Sequence, residues 1–211
     1  MNVSKKSSKI NRYQLAGAQK KNGLNIWRFV FNGTEKITGR ERKFFIELSM
    51  LNSGLSPDEA VLGFKARVNI SAEDLQNVLA GSVSAKNIQS ESYVVPSYIV
   101  LRAGVLGPEA KQLCSYCSEK QVSVSSKNFC IMGDNFSFDG EKLSGRIDCS
   151  PEDIHEHPEY LCDSGSLSWD LRYEIRCAFS EGYSGKNCVW VPTGAKTVFT
   201  GNFILDGKVY E

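Results

Sequence analysis

From Leu167 to Phe179 the chain places Leu167, Trp169, Leu171, Tyr173, Ile175, Cys177 and Phe179 at every second position, with Ser168, Asp170, Arg172, Glu174 and Arg176 between them. A helix would scatter that set around its circumference. A strand sends alternate side chains to opposite faces, so this spacing predicts one long strand with an apolar face and a wet one. The same period of two recurs elsewhere. Trp27, Phe29 and Phe31 alternate with Ile26, Arg28 and Val30, and Phe44, Ile46, Leu48 and Met50 share a face within Arg42 to Leu51. Asn32-Gly33 opens a polar turn through Gly39 between these two runs, which predicts an antiparallel hairpin.

Ser53 to Ser92 breaks the alternation. Ser56 and Glu59, with Pro57 at the first helical position, form a capping box for one short helix; Ser71 starts a second over Ala72 to Ala80, closed by Gly81. Leu75, Val78 and Leu79 share a face of that second helix and are expected to pack on a sheet. The insertion reads either as a lid over a cavity or as a surface excursion that closes one end of a barrel.

The β pattern returns with Ile99, Leu101, Ala103 and Val105, after Pro96 restricts the start of that strand to an edge or an entry point. Val122 and Val124, Phe129 and Ile131, then Phe136 and Phe138 mark three short strands. Asp139-Gly140 turns the chain into Leu143, Gly145, Ile147 and Cys149, and Pro151 to Ser164 reads as an acidic loop before the long strand. At the end Thr197, Phe199, Gly201, Phe203 and Leu205 share a face and Asp206-Gly207 is a tight turn. The return strand stops at Glu211, which implies an edge covered by further chain or by a partner. The fold expected is all-β, an antiparallel barrel or sandwich with a small helical insertion near 56–81. Residues 1–20 are expected to form a disordered basic polar arm ahead of one β domain over 21–211, which is expected to be incomplete at its C-terminal end.

Charge and cysteine content narrow the partners. Twenty-five Lys and Arg balance 24 Asp and Glu, so a net charge of +1 supplies no field for nucleic acid. No apolar run is long enough to span a membrane, and Met1 to Arg12 carries no apolar segment that would make a signal peptide. The seven cysteines, at odd count and irregular spacing, are expected to be reduced thiols of a cytoplasmic protein. Cys114 and Cys117 have the spacing of a zinc pair, but no second close pair accompanies them. His155 and His157 flank Glu156, and in an extended loop both rings would point the same way. Neither motif names a full ligand set, and no cofactor is implied. No serine lies in a nucleophile elbow, and no glycine-rich turn cradles phosphate. The aromatic residues Trp27, Phe29, Trp169, Tyr173 and Trp190 are the candidate ligand-binding side chains, with core filling as the competing role.

Four stretches, Gly23 to Phe31, Phe136 to Asp148, Leu167 to Glu174 and Val189 to Glu211, carry a family resemblance. Within the last, Trp190, Pro192, Gly194, Gly201, Asp206, Gly207 and Tyr210 fall at the places of a Trp-Pro-type turn followed by a Gly-to-Asp-Gly-x-x-Tyr strand. In these the chain resembles the lipocalin-like family of tocopherol cyclases and carotenoid 1,2-hydratases. The resemblance implies paired lipocalin-like domains that enclose long isoprenoids or lipids, and in active members an acid-driven cyclisation or hydration. The family's polar signature follows the Gly-x-x-Tyr strand, beyond Glu211, so no catalytic residue is assigned. Three functions are expected in turn. The first is binding of a hydrophobic small molecule as one half of a two-barrel protein, with a second β domain as a further partner. The second is an isoprenoid cyclase or hydratase, and the third is a structural or protein-interaction β domain.

Overall fold

The structure is a computed structural model that describes residues 23–51, 67–68, 72–82, 93–94, 99–117, 121–125, 129–156, 162–179, 183–184, 189–190 and 192–211. The basic arm, the helix start at Ser56, Pro96, His157 and Cys188 lie outside them. The fold is all-β, built on two antiparallel sheets. In chain order the elements are β1 (Leu24–Thr34), β2 (Glu41–Leu51), β3 (Arg67–Val68), α1 (Ala72–Leu79), β4 (Tyr93–Val94), β5 (Ile99–Leu106), β6 (Lys111–Cys117), β7 (Ser123–Val124), β8 (Cys130–Gly133), β9 (Phe136–Asp139), β10 (Lys142–Cys149), α2 (Pro151–Glu156), β11 (Gly165–Cys177), β12 (Tyr183–Ser184), β13 (Val189–Trp190), β14 (Lys196–Leu205) and β15 (Lys208–Tyr210).

The first sheet runs β1-β2-β5-β6 and the second β15-β14-β11-β10-β9-β8-β7. Their apolar faces meet in one buried cluster to which both contribute. β11 forms as its alternation requires: Leu167, Trp169, Leu171 and Tyr173 are buried while Asp170, Arg172 and Glu174 are exposed. It ends at Cys177, and Phe179 beyond it is exposed. Its two neighbours complete its pairing, with Trp169 opposite Gly145 of β10 and Phe203 of β14. A Cβ at 145 would run into the Trp169 ring, so glycine there is what lets the indole lie across β10.

Several expectations change. Asn32-Gly33 is not a turn: β1 continues to Thr34 and stays in register with β2, with Gly33 opposite Arg42, and the chain reverses around Gly39 at φ 71°. β6 is a strand that the alternation does not announce. Because side chains alternate along it, Cys114 and Cys117, three apart, face opposite sides, and a shared metal ion is excluded by geometry. The acidic loop begins as a helix, α2. Ser150 and Asp153 cap each other reciprocally, each backbone N–H donating to the other side chain at 3.0 Å, with Pro151 at the first helical position. His155 therefore sits in a helical turn rather than in an extended loop. α1 ends as expected at Gly81, φ 72°, but its apolar stripe is not fully covered, since Leu79 is 78% exposed. The outer face of the first sheet is more buried than alternation implies. Phe45, Ser49, Leu51 and Val100 are all buried there, with Tyr116 packed on Leu51 and Val100.

Candidate functional site

β1 lays three aromatic side chains along the interior, and each meets a different part of the second sheet. Trp27 lies 5.9 Å from Phe129, Phe29 lies 5.9 Å from Phe138 and 5.6 Å from Tyr173, and Phe31 lies 5.0 Å from Phe199 and 5.4 Å from Phe203. Four of the five candidate residues, Trp27, Phe29, Trp169 and Tyr173, thus share one aromatic interior. Trp190 does not join them: it lies on the separate β12–β13 ribbon and is 64% exposed. Phe31, Phe44, Phe199, Phe203 and Tyr210 complete the wall. They are legible in the sequence as strand aromatics, but which of them touch depends on how the sheets pack.

At one side the wall reaches a seam. The two sheets join where Thr34 and Glu211 exchange backbone hydrogen bonds at 2.9 and 3.0 Å and Lys36 N–H donates to the Val209 carbonyl at 2.9 Å. β15 pairs with only Phe203, Ile204 and Leu205 of β14. Among the described residues, therefore, residues 28–32 of β1 and 196–202 of β14 each have a strand partner on one side only. A recess of about 20 Å³ lies at this seam, lined by Phe31, Leu171, Phe199, Phe203 and Tyr210 among others. That is space for about one water, so the rings of the wall are in contact rather than held apart.

Polar groups of the interior are few. Tyr173 Oη donates to the Asp139 carbonyl at 2.7 Å, and burial pushes its phenol above the ordinary tyrosine range. Glu35 is the only buried carboxylate among the described residues, and it accepts the Thr38 hydroxyl at 2.7 Å in the turn after β1. Trp169 differs. The residue is 3% exposed and its Nε1–H has no hydrogen-bond partner, an orphan that buried donors seldom show. No family model, curated protein or solved structure matches the chain. No described helix is long and apolar enough to cross a membrane.

The opposite side is tied by charge and thiols. Lys111 of β6 reaches Asp206 at 2.5 Å, and Asp206 also accepts the Ser166 N–H at 3.1 Å. Burial alone would raise the Asp206 carboxyl; the hydrogen bonds from Lys111 and Ser166 outweigh it and hold the group below its usual range. Gln112 and Asp163 bond each other through backbone and side chain at 2.7 and 2.8 Å. There Cys149 Sγ donates to the Cys114 carbonyl at 3.2 Å, and Cys162 interacts with both residues. All six described cysteines are free, and among the described residues no group of three or more His, Cys, Asp or Glu side chains is placed to hold a metal ion.

Burial pushes the thiols of Cys149 and Cys117 up to about 11. Thiolate is the nucleophile, so both should be slow toward alkylation in the native protein. At pH 8, iodoacetamide is expected to label exposed Cys177 well before either of them. Stability follows with a definite sign: the folded pKa lies above the unfolded value of roughly 8.5, so the protonated thiols favour the fold below that pH. The contribution is lost as pH rises through about 11. Peptide mapping after timed alkylation, and denaturation midpoints taken from pH 8 upward, check both statements. Equal labelling of the three cysteines would contradict the burial described.

Proposed function

We propose that the chain is a binding module for an apolar small molecule of the lipid or isoprenoid class, admitted between the edges of β1 and β14. In this reading it is one half of a two-barrel protein of the cytoplasm. The observation that carries the proposal is the aromatic wall that runs from Trp27 and Phe29 to Phe31 and Phe199 and ends where residues 28–32 of β1 and 196–202 of β14 each have a strand partner on one side only among the described residues. Filling of the core requires the rings but not that seam.

The energetics are compatible with opening on demand. Separating one aromatic pair such as Phe31–Phe199 costs about 0.5–1.5 kcal/mol beyond area burial, whereas each methylene taken out of water contributes about 0.8 kcal/mol. A few carbons of an alkyl or prenyl tail therefore offset the parting of the rings. An enzyme of the cyclase or hydratase type would add an acid facing the apolar wall. Among the described residues the one buried carboxylate, Glu35, is held by Thr38 instead. The contact between rings across the interior favours the remaining reading, a domain that acts through its surface.

Native mass spectrometry of the protein as purified, and again after titration with farnesol, separates the two. A complex of one farnesol per chain, with quenching of tryptophan fluorescence, is the expected result. A chain that carries no lipid and takes up no farnesol would overturn ligand binding in favour of a surface-acting β domain.

A further inference from the structure

We infer that Trp169 Nε1–H is the polar anchor of this site, and that the ligand carries a hydrogen-bond acceptor oxygen as well as an apolar body. The inference rests on the binding function proposed above and adds the chemistry of the ligand's head. Trp169 is 3% exposed, and its indole N–H is the one buried side-chain polar atom among the described residues without a partner. Leaving a buried donor unpaired costs about 1–3 kcal/mol, so its persistence needs an account. The ring neighbours of Trp169 are Phe138 at 6.4 Å and Phe203 at 6.5 Å, which carry no acceptor of the ordinary kind.

The position of the indole is built rather than incidental. Gly145, opposite it on β10, has no side chain to meet the ring, and any Cβ there would collide with it. Phe203, opposite on β14, stacks on it at an interplanar angle of 23°. The ring is thus fixed from both neighbouring strands while its polar edge is left unsatisfied. Trp169 lies two residues from Leu171 on the same face of β11, and Leu171 lines the recess at the seam. Two residues of strand span roughly 7 Å, so Trp169 lies within an alkyl tail's reach of the opening. A carbonyl, hydroxyl or quinone oxygen has the required acceptor, whereas a pure hydrocarbon does not.

The test compares two probes of equal length, dodecan-2-one and dodecane, on the wild-type chain and on Trp169→Phe, which keeps an aromatic ring and removes the N–H. The wild type is expected to favour the ketone by about fivefold, the equivalent of one net hydrogen bond, and Trp169→Phe to lose or reverse that preference, because the ketone oxygen would then be buried without a donor. In parallel, the three indole N–H resonances of the wild type are followed during ketone titration; the Trp169 signal should move downfield and the other two much less. Binding of both probes with no ketone preference, or an unmoved Trp169 resonance, overturns the anchor while ligand binding survives. No binding of either probe to the wild type overturns both.

Discussion

Phe203→Ala is expected to lower the stability of the chain by about 3–5 kcal/mol, the range for truncating a buried aromatic residue. Phe203 is 1% exposed, and its ring touches both sheets. It lies 4.5 Å from Phe44 and 5.4 Å from Phe31 on the first sheet, and stacks on Trp169 within its own. Removing it leaves a void bounded by three rigid rings that cannot collapse without moving a strand. A domain of this size has only about 5–15 kcal/mol in total, so the loss would be a large share of it. Val198→Ala is the matched control. Val198 stands on the same strand but 42% exposed on the outer side, and its truncation should fall within about 0.5 kcal/mol of wild type. Urea denaturation of both variants checks the pair: the Phe203→Ala midpoint drops while the slope with denaturant is retained. Comparable shifts for the two would mean that β14 does not turn Phe203 inward.

Alternation carries most of the strand assignments because one face of each sheet is buried and the other meets water. It does so for β1 and β11 with little ambiguity, down to the inward set Leu167, Trp169, Leu171 and Tyr173. It is weaker at β6, where Leu113 is buried but Gln112, Ser115 and Tyr116 blur the contrast, and the Cys-x-x-Cys spacing points instead toward ligand chemistry. The start of α2 is written in the sequence. Ser150-Pro151-Glu152-Asp153 repeats the helix-start signature of Ser56-Pro57-Asp58-Glu59, and only its acidic surroundings give it the look of a loop. Pairing between distant strands is not legible at all. β2 pairs with β5 across the whole insertion, a choice made by the fit of two faces rather than by either strand's pattern. The candidate site divides along the same line. Strand aromatics identify Trp27, Phe29, Trp169 and Tyr173 as inward residues, whereas the seam and the unpartnered indole N–H arise only when the two sheets are brought together. Trp190 departs from its expected place because an aromatic beside a proline turn resembles a strand aromatic whether or not its ribbon joins the core.

A graded series of glycine substitutions should separate backbone strain from collision, with Gly201→Ala the most damaging member. Gly201 sits in β14 opposite Leu171 with φ 125°, a backbone conformation that L side chains rarely adopt, and a Cβ there would strike the Asp170 carbonyl oxygen. The two penalties act together. Unfavourable backbone conformations cost about 1–3 kcal/mol, and relief of the collision requires β14 to move away from β11, loosening the ladder that carries Phe203 and Leu205 inward. A total of about 3 kcal/mol or more is expected. Gly207, φ 79° in the turn between β14 and β15, has open space where a methyl group would stand, with nothing within 4 Å, so Gly207→Ala should cost only the left-handed conformation, about 1–2 kcal/mol. Gly140, in the β9–β10 turn, has neither a positive φ nor a neighbour within 4 Å, and Gly140→Ala should be neutral to within about 0.5 kcal/mol. Thermal denaturation of the three variants is expected to give midpoints in the order Gly140→Ala, Gly207→Ala, Gly201→Ala from highest to lowest. If Gly201→Ala melts with or above Gly207→Ala, the close approach of β14 to β11 at Asp170 is wrong, and with it the placement of the β14 edge that bounds the proposed opening.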